Sequence, residues 1–162
     1  MTIKAQWVAR ARRPLALAGI AFILLGDYAM AQNLGSTPQF NAAVQGFRLV
    51  AYNPNVDVDL YDGSLQEPVN SERSSYIRKA IRERVWRASV VVCLIGNGTA
   101  WRDWVVWELR TGVELGKGLC GVRLKESRGR TPPMLAEVGA AIARWSLNQI
   151  VAAIECAAAR RS

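Results

Sequence analysis

The strongest constraint on the fold is the segment 89–95, which reads Ser-Val-Val-Val-Cys-Leu-Ile and holds no charged residue. A strand with one wet face would alternate apolar and polar side chains, so this run predicts a strand buried on both faces, as in a parallel sheet. Helical patterns flank it at 72–87 and 100–115, with Ser71 and Thr99 as predicted N-caps. A strand between two helices is typical of an α/β fold with right-handed crossovers.

Further strands are predicted on both sides of this unit. Residues 56–61 alternate with period two, and residues 119–124 form another apolar run. A last short strand is expected at 142–145, after an irregular piece that begins at Thr131. Ligands of parallel α/β sheets bind beyond the carboxyl ends of the strands. The loops 26–28, 62–65 and 96–99 are therefore expected to line one cleft.

The helices are predicted from their apolar stripes and their ends. Glycines 116 and 118 are expected to stop the helix 100–115, and residues 147–160 are expected to form a closing helix. The residues predicted to face inward are Ile77, Ile81 and Val85 in the first of the three helices, and Leu147, Ile150, Val151 and Ile154 in the last.

The N-terminus allows two interpretations. Residues 1–13 are basic, residues 14–26 are apolar, and Ala29-Met30-Ala31 follows, which is the outline of a secretory signal. The apolar run is too short for a comfortable transmembrane helix, which needs about 20 residues. The other interpretation is a buried parallel strand at 19–25. Periodicity alone does not choose between the two.

The composition excludes several kinds of catalysis. The chain has no histidine, which excludes Ser-His and Cys-His nucleophile pairs, imidazole bases and His-ligated metals. Its three cysteines, Cys93, Cys120 and Cys156, are far apart and odd in number, so neither a zinc ribbon nor a disulfide framework is predicted. The formal net charge of +8 favours anionic partners. Carboxylate chemistry remains, or the chemistry of a substrate that is already activated.

The segment 101–110 carries the candidate carboxylate. Trp104 and Glu108 are four residues apart and so share one helix face. Glu108 has two interpretations: a functional carboxyl group, which has a raised pKa or hydrogen-bonds a ribose diol, or a surface carboxylate paired with Arg102 or Arg110. The tryptophans equally fit core packing. Gly96-x-Gly98 follows a strand but lacks the third glycine of a dinucleotide fingerprint, although a helix N-terminus at Thr99 is suited to a phosphate.

Trp104-Val105-x-x-Glu108 resembles the Trp-Val-x-x-Glu motif of TIR domains that cleave NAD. The surrounding sequence is similar to the TIR-like family of bacterial antiphage systems of the Thoeris type. The similarity extends over about residues 56–124 and rests on these segments: Leu60-Tyr61-Asp62-x-Ser64-Leu65, Tyr76-Ile77-x-x-x-Ile81, Val90 to Gly96 with Thr99, Gly116-Lys117-Gly118, and Gly121 to Leu124.

The resemblance implies a flavodoxin-like three-layer sandwich with a parallel five-stranded sheet of order 2-1-3-4-5. It implies that Glu108 is the catalytic residue of an NAD nucleosidase or ADP-ribosyl cyclase. Residues expected to bind NAD as a substrate are Asp27, Tyr28, Asp62, Ser64, Gly96, Thr99 and Trp104. No metal and no cofactor beyond NAD are expected. The expected partners are the chain itself, by self-association, and a separate effector that responds to the nucleotide product.

In a sheet of this order the first strand is central, which favours the strand interpretation of residues 19–25. We therefore expect a cytoplasmic protein with a basic arm at 1–14 and a single TIR-like domain at 15–162. If residues 1–31 act as a signal peptide, the protein is exported instead. Neither a membrane nor a specific nucleic acid is expected as a partner.

Two further functions stay open. A non-catalytic TIR-like module would recruit partners through surface helices, above all the basic helix 72–87 and exposed tryptophans. Nucleic-acid binding through the basic face is the other, with five arginines as candidates, and no recognition motif accompanies that charge. These arginines are Arg73, Arg78, Arg82, Arg160 and Arg161.

Overall fold

The computed structural model describes residues 20–22, 46, 60–62, 74–101 and 103–161. Its strands are β1 (Ile20–Phe22), β2 (Leu60–Asp62), β3 (Val90–Ile95), β4 (Gly118–Arg123) and β5 (Ala141–Ala143). Its helices are α1 (Ser74–Arg87), α2 (Asp103–Glu114), α3 (Pro133–Glu137) and α4 (Leu147–Ala159), and a 3-10 turn spans Thr99–Trp101. Gly46 is also helical.

The described strands pair in parallel, which confirms the α/β class. β4 lies between β3 and β5, with Val90 opposite Gly118 and Cys120 opposite Ala141. β1 pairs with β2, with Ile20 opposite Leu60, and β1 also lies close to β3. The β1 residues belong to the apolar run 19–25, for which a strand was one of the two interpretations.

β3 is buried at all six positions, as its sequence predicts. Val90, Val92 and Leu94 belong to a cluster with Ile150 and Ile154 of α4. The alternate residues, Val91, Cys93 and Ile95, belong to a second cluster with residues of α1, α2 and α3. Successive side chains of a strand point to opposite faces, so helices cover both faces of this sheet.

The inward-facing residues are partly as predicted. Ile81 and Val85 of α1 are buried, and the side chain of Ile77 lies outside the described residues. In α4, Ile150 and Ile154 are buried and Val151 is half-buried. The prediction for Leu147 is wrong: it is 37% exposed, because the buried stripe begins one turn later, at Ile150.

Small residues let α4 approach the sheet closely. Ala153 and Ala157 are buried on the face of α4 that contacts β4. A Cβ atom added to Gly118 would lie 2.1 Å from the Ala157 carbonyl oxygen. Gly118 therefore belongs to β4 and is required there for packing, whereas the sequence assigned it to the end of the preceding helix.

Gly116 ends α2 as predicted. It has φ +65, its N–H donates to the Val113 carbonyl, and the Lys117 N–H donates to the Gly112 carbonyl. This pair of bonds is a Schellman motif, which satisfies two carbonyls at the helix end.

Several predicted boundaries change. α2 begins at Asp103 and not at residue 100, because a 3-10 turn precedes it. The irregular piece after Thr131 contains a short helix, Pro133–Glu137, which begins on a proline suited to a first helical turn. β5 is Ala141–Ala143 instead of 142–145. The predicted N-cap Ser71 and residues 56–59 lie outside the described residues.

The three cysteines are free thiols, two of them buried and Cys156 half-buried.

None of the helices within the described ranges is long and apolar enough to cross a bilayer.

Candidate functional site

The turn that follows β3 lies at the carboxyl edge of the sheet, where the sequence places part of a cleft. The Gly96 N–H donates to Thr99 Oγ1 over 2.9 Å, and the Thr99 N–H donates to the Gly96 carbonyl over 3.3 Å. Gly98, at φ +83, adopts the left-handed conformation that glycine tolerates best. The turn thus brings the two predicted residues Gly96 and Thr99 together.

The predicted role of Thr99 as the N-cap of α2 is wrong. Its hydroxyl oxygen accepts from the Gly96 N–H, three residues earlier, and α2 begins four residues later at Asp103. A threonine hydroxyl can bond backbone groups on either side of itself, and here the turn outcompetes the helix. The N-terminus of α2 therefore lies at Asp103, and a contact of Thr99 with a ligand stays a prediction.

A loop of residues 124–131, here called the basic loop, is tied to that turn. The Leu124 N–H donates to the Ile95 carbonyl over 3.1 Å, and the Arg128 N–H donates to Asn97 Oδ1 over 3.2 Å. A Cβ atom added to Gly129 would lie 1.9 Å from the Gly96 carbonyl oxygen. The backbones of loop and turn are therefore in direct contact, and this contact requires glycine at 129.

Arg123, the last residue of β4, holds the far side of the basic loop. Its guanidinium donates to the Gly129 carbonyl and, over 3.1 Å, to Thr131 Oγ1. Arg123 is half-buried, and its guanidinium donates hydrogen bonds to acceptors of the protein itself. Its role is to shape the loop beside the site.

Glu108 lies on the buried stripe of α2. Val105 and Leu109, three residues before it and one after it, are fully buried, and Glu108 itself is only 6% exposed. Within the described ranges, no hydrogen bond or ion pair reaches its carboxylate. The interpretation of Glu108 as a surface carboxylate is wrong: Arg110 is exposed, and Arg102 lies outside the described residues. Its place in the helix period accounts for its burial.

Burial raises the pKa of Glu108 well above its ordinary value, because a dry environment disfavours the charged form. The direction of this shift is the one that the other sequence interpretation offers, and binding of a ribose diol stays a prediction. Burial is the main cause of the raised pKa of the Cys93 thiol in β3, and the nearby charge of Glu108 raises it further. Glu108 therefore lies against β3, near a residue three positions before Gly96.

Of the two tryptophans in α2, Trp107 has a described side chain and Trp104 does not. Trp107 is half-buried, and the Arg78 guanidinium carbon lies 5.6 Å from its ring centroid, a cation–π distance. Trp104 is in the first turn of α2, and its side chain is outside the described part of the chain.

The other predicted site residues belong to the first and second strands. Asp62 is the last residue of β2, and its side chain is not among those described. Asp27, Tyr28 and Ser64 lie outside the described residues. The structure therefore brings Gly96, Thr99 and Glu108 to the carboxyl half of β3, and the contribution of the first two loops stays a prediction.

Sequence reasoning missed the residues that build the edge beyond β3. These are Arg123 and Gly129, each of which has a contact at this edge, whereas Asn97 belongs to the predicted loop 96–99. A usable signal existed in part, since polar side chains directly after parallel strands lie at the ligand-binding edge. Within the described residues, no group of three or more His, Cys, Asp or Glu side chains could hold a metal ion.

Comparison with known families identifies a match. The model of the family described as "Thoeris protein ThsB, TIR-like domain" matches residues 39–129, which is more than half of the chain. The match includes β2, α1, β3, α2, β4 and the basic loop as far as Gly129. No curated protein matches the chain.

Proposed function

Because the chain belongs to the TIR-like domain family of the Thoeris protein ThsB, we propose that it acts in antiphage defence as an enzyme that cleaves NAD. The bond broken joins nicotinamide to ribose. One observation carries the proposal: the glutamate of the Trp-Val-x-x-Glu pattern is a buried carboxyl group on α2, beside the carboxyl half of β3.

The chemistry matches a chain without histidine. When the glycosidic bond breaks, its electron pair goes to the nicotinamide nitrogen, which was positively charged and leaves neutral. No proton has to be donated to the leaving group. The positive charge develops on the ribose, where a carboxylate is the group that stabilises it best. The ribosyl cation then bonds either to water, which loses a proton, or to a nucleophile of the same substrate, which gives a cyclic product.

The buried state of Glu108 fits this role. Without a ligand its carboxyl group has no countercharge among the described residues, and burial favours the neutral form. A nicotinamide ribosyl group carries a positive charge, and a positive charge nearby favours carboxylate ionisation. We infer that substrate binding and ionisation of Glu108 are coupled.

The remaining features belong to the same proposal. We propose that β1, β2, β3, β4 and β5 form one sheet of order 2-1-3-4-5, supported by the parallel pairing of β1 with β2 and by the closeness of β1 to β3. In that order, Asp27 and Tyr28 follow β1, the strand next to β3, whereas Asp62 ends β2 and Ser64 follows it, one strand further out. We also propose a cytoplasmic enzyme in which residues 15–162 form one domain, which self-associates and whose product acts on a separate effector.

The test is nicotinamide release from NAD by purified protein at high concentration, with products resolved by chromatography and mass spectrometry. The wild type and Glu83→Gln, a change to an exposed acid of α1, should release nicotinamide. Glu108→Gln should not, while keeping its folded circular-dichroism spectrum. Release by Glu108→Gln at the wild-type rate would contradict the catalytic role.

A second candidate function is a non-catalytic interaction module. The observation that favours it is Trp86, which is 68% exposed at the end of the basic helix α1. A large exposed aromatic side chain beside arginines is typical of a protein-binding surface. This function predicts that the wild type leaves NAD intact, and that Trp86→Ala weakens association while Glu108→Gln does not.

A further inference from the structure

The basic loop carries three cations that the packing of the protein does not use. Lys125, Arg128 and Arg130 are exposed, and no hydrogen bond or ion pair of their side chains occurs within the described ranges. Arg123, by contrast, is bonded to loop acceptors. The loop holds one acid, Glu126. Three of its eight positions therefore present positive charge to solvent.

The attachment of the loop determines where this charge lies. The Arg128 N–H is bonded to Asn97 Oδ1, and Gly129 touches the Gly96 carbonyl. Both partners belong to the turn directly after β3. The charge is thereby fixed beside the turn that holds Gly96 and Thr99, at the edge where parallel α/β sheets bind ligands.

We propose that the basic loop binds the phosphate groups of a nucleotide at this edge, with Arg128 and Arg130 as the principal contacts. Guanidinium groups bind phosphate oxygens through paired hydrogen bonds, and two of them on one short loop suit the adjacent charges of a diphosphate. This inference rests on the proposed function, since it names the group that would hold the diphosphate of an NAD-like substrate. The three cations set the affinity of the site, and Glu108 acts on the other half of the substrate.

The test uses ADP-ribose, which contains the diphosphate but no nicotinamide bond, so that binding is measured without turnover. Titration calorimetry on the full chain compares the wild type with the double variant Arg128→Gln/Arg130→Gln. The matched control is Arg87→Gln, an exposed arginine at the end of α1, which leads into the amino end of β3 and so lies at the opposite edge. Circular dichroism checks that each variant is folded.

We expect the double variant to bind ADP-ribose about tenfold more weakly, in keeping with two exposed charged contacts, and Arg87→Gln to bind like the wild type. ADP should bind at least about tenfold more tightly than adenosine, and raising the salt concentration should narrow that difference. Equal affinities of wild type and double variant would overturn the inference, as would wild-type protein that binds adenosine as well as ADP.

Two outcomes separate this inference from the proposed function. If Glu108→Gln retains NAD and ADP-ribose binding through the loop but the wild type releases no nicotinamide, the phosphate site stands and the proposed enzyme fails. If a short single-stranded oligonucleotide binds through the same arginines while ADP-ribose does not bind, the loop is a polyanion surface and the inference is overturned.

Discussion

Replacing Glu108 by glutamine should stabilise the protein at neutral pH, although it removes the proposed catalytic group. Glu108 is 6% exposed and lies on the same helix stripe as Val105 and Leu109. Glutamine has nearly the same shape but cannot ionise. Because burial raises the pKa of Glu108, the variant should no longer pay the cost of keeping an ionisable group in the core.

The size of the effect follows from proton linkage. Below the ordinary glutamate pKa, folded and unfolded chains both hold the proton and this group makes no pH-dependent contribution. Above it, the unfolded chain loses the proton while the folded chain keeps it, so the unfolded state is stabilised relative to the folded state. The free energy of unfolding then falls by about 1.4 kcal/mol for each pH unit, up to the raised pKa of the folded state. For a chain of this length that corresponds to about 4 °C in the thermal midpoint.

The assay is thermal unfolding by circular dichroism from pH 5 to pH 8 for the wild type, Glu108→Gln and Glu83→Gln. The midpoint of Glu108→Gln should rise relative to that of the wild type by about 4 °C per pH unit, until the pH reaches the raised pKa of Glu108 in the folded wild type. Glu83 is exposed on α1, so Glu83→Gln should keep a nearly constant difference. Parallel curves for Glu108→Gln and the wild type would refute the burial argument, because they would mean that Glu108 titrates as it does in water.

Three further changes probe the packing of the same elements. Gly118→Ala should lower the free energy of unfolding by about 1–3 kcal/mol in urea titrations, because the new methyl group would lie 2.1 Å from a carbonyl oxygen of α4; an unchanged midpoint would contradict that contact. Thr99→Val should cost about 1 kcal/mol, because the Gly96 N–H loses its acceptor, and Thr99→Ser, which keeps a hydroxyl, should restore most of it. Cys93 and Cys120 should react with a thiol reagent only after unfolding, since both are buried and burial raises the pKa of Cys120 to about 12; rapid labelling of either thiol in the folded protein would refute this.

The parts of the fold that the sequence predicts well are those with a strong period. β3 is apolar at every position and is buried at every position. The 3.6-residue stripe of α1 likewise predicts the burial of Ile81 and Val85. In these elements the local pattern and the tertiary environment agree, so residue order alone is sufficient.

The sequence predicts the wrong start for α2 because a threonine hydroxyl can form two different local hydrogen bonds. Threonine before a helical pattern indicates an N-cap, but the Thr99 hydroxyl accepts from the Gly96 N–H instead. Deciding between these bonds requires the shape of the glycine turn, which the order of residues does not specify. The basic loop presents a larger difficulty, since Arg128 and its acceptor Asn97 are 31 residues apart. No periodicity reports such a contact.

The burial of Glu108 follows from the sequence, but it does not favour stability. Its helix period, shared with Val105 and Leu109, dictates burial, and for stability alone an apolar side chain would serve better at that position. Among the described residues no cation compensates its charge. Under the proposed function the compensating charge arrives with the nicotinamide ribosyl group of NAD, which ADP-ribose lacks. The basic loop would hold both ligands by their phosphates, but only NAD would ionise Glu108. Under this proposal, the carboxyl group of Glu108 stays neutral and buried until NAD binds, and the charged carboxylate forms only beside the substrate. This coupling accounts for the position of the group in the core.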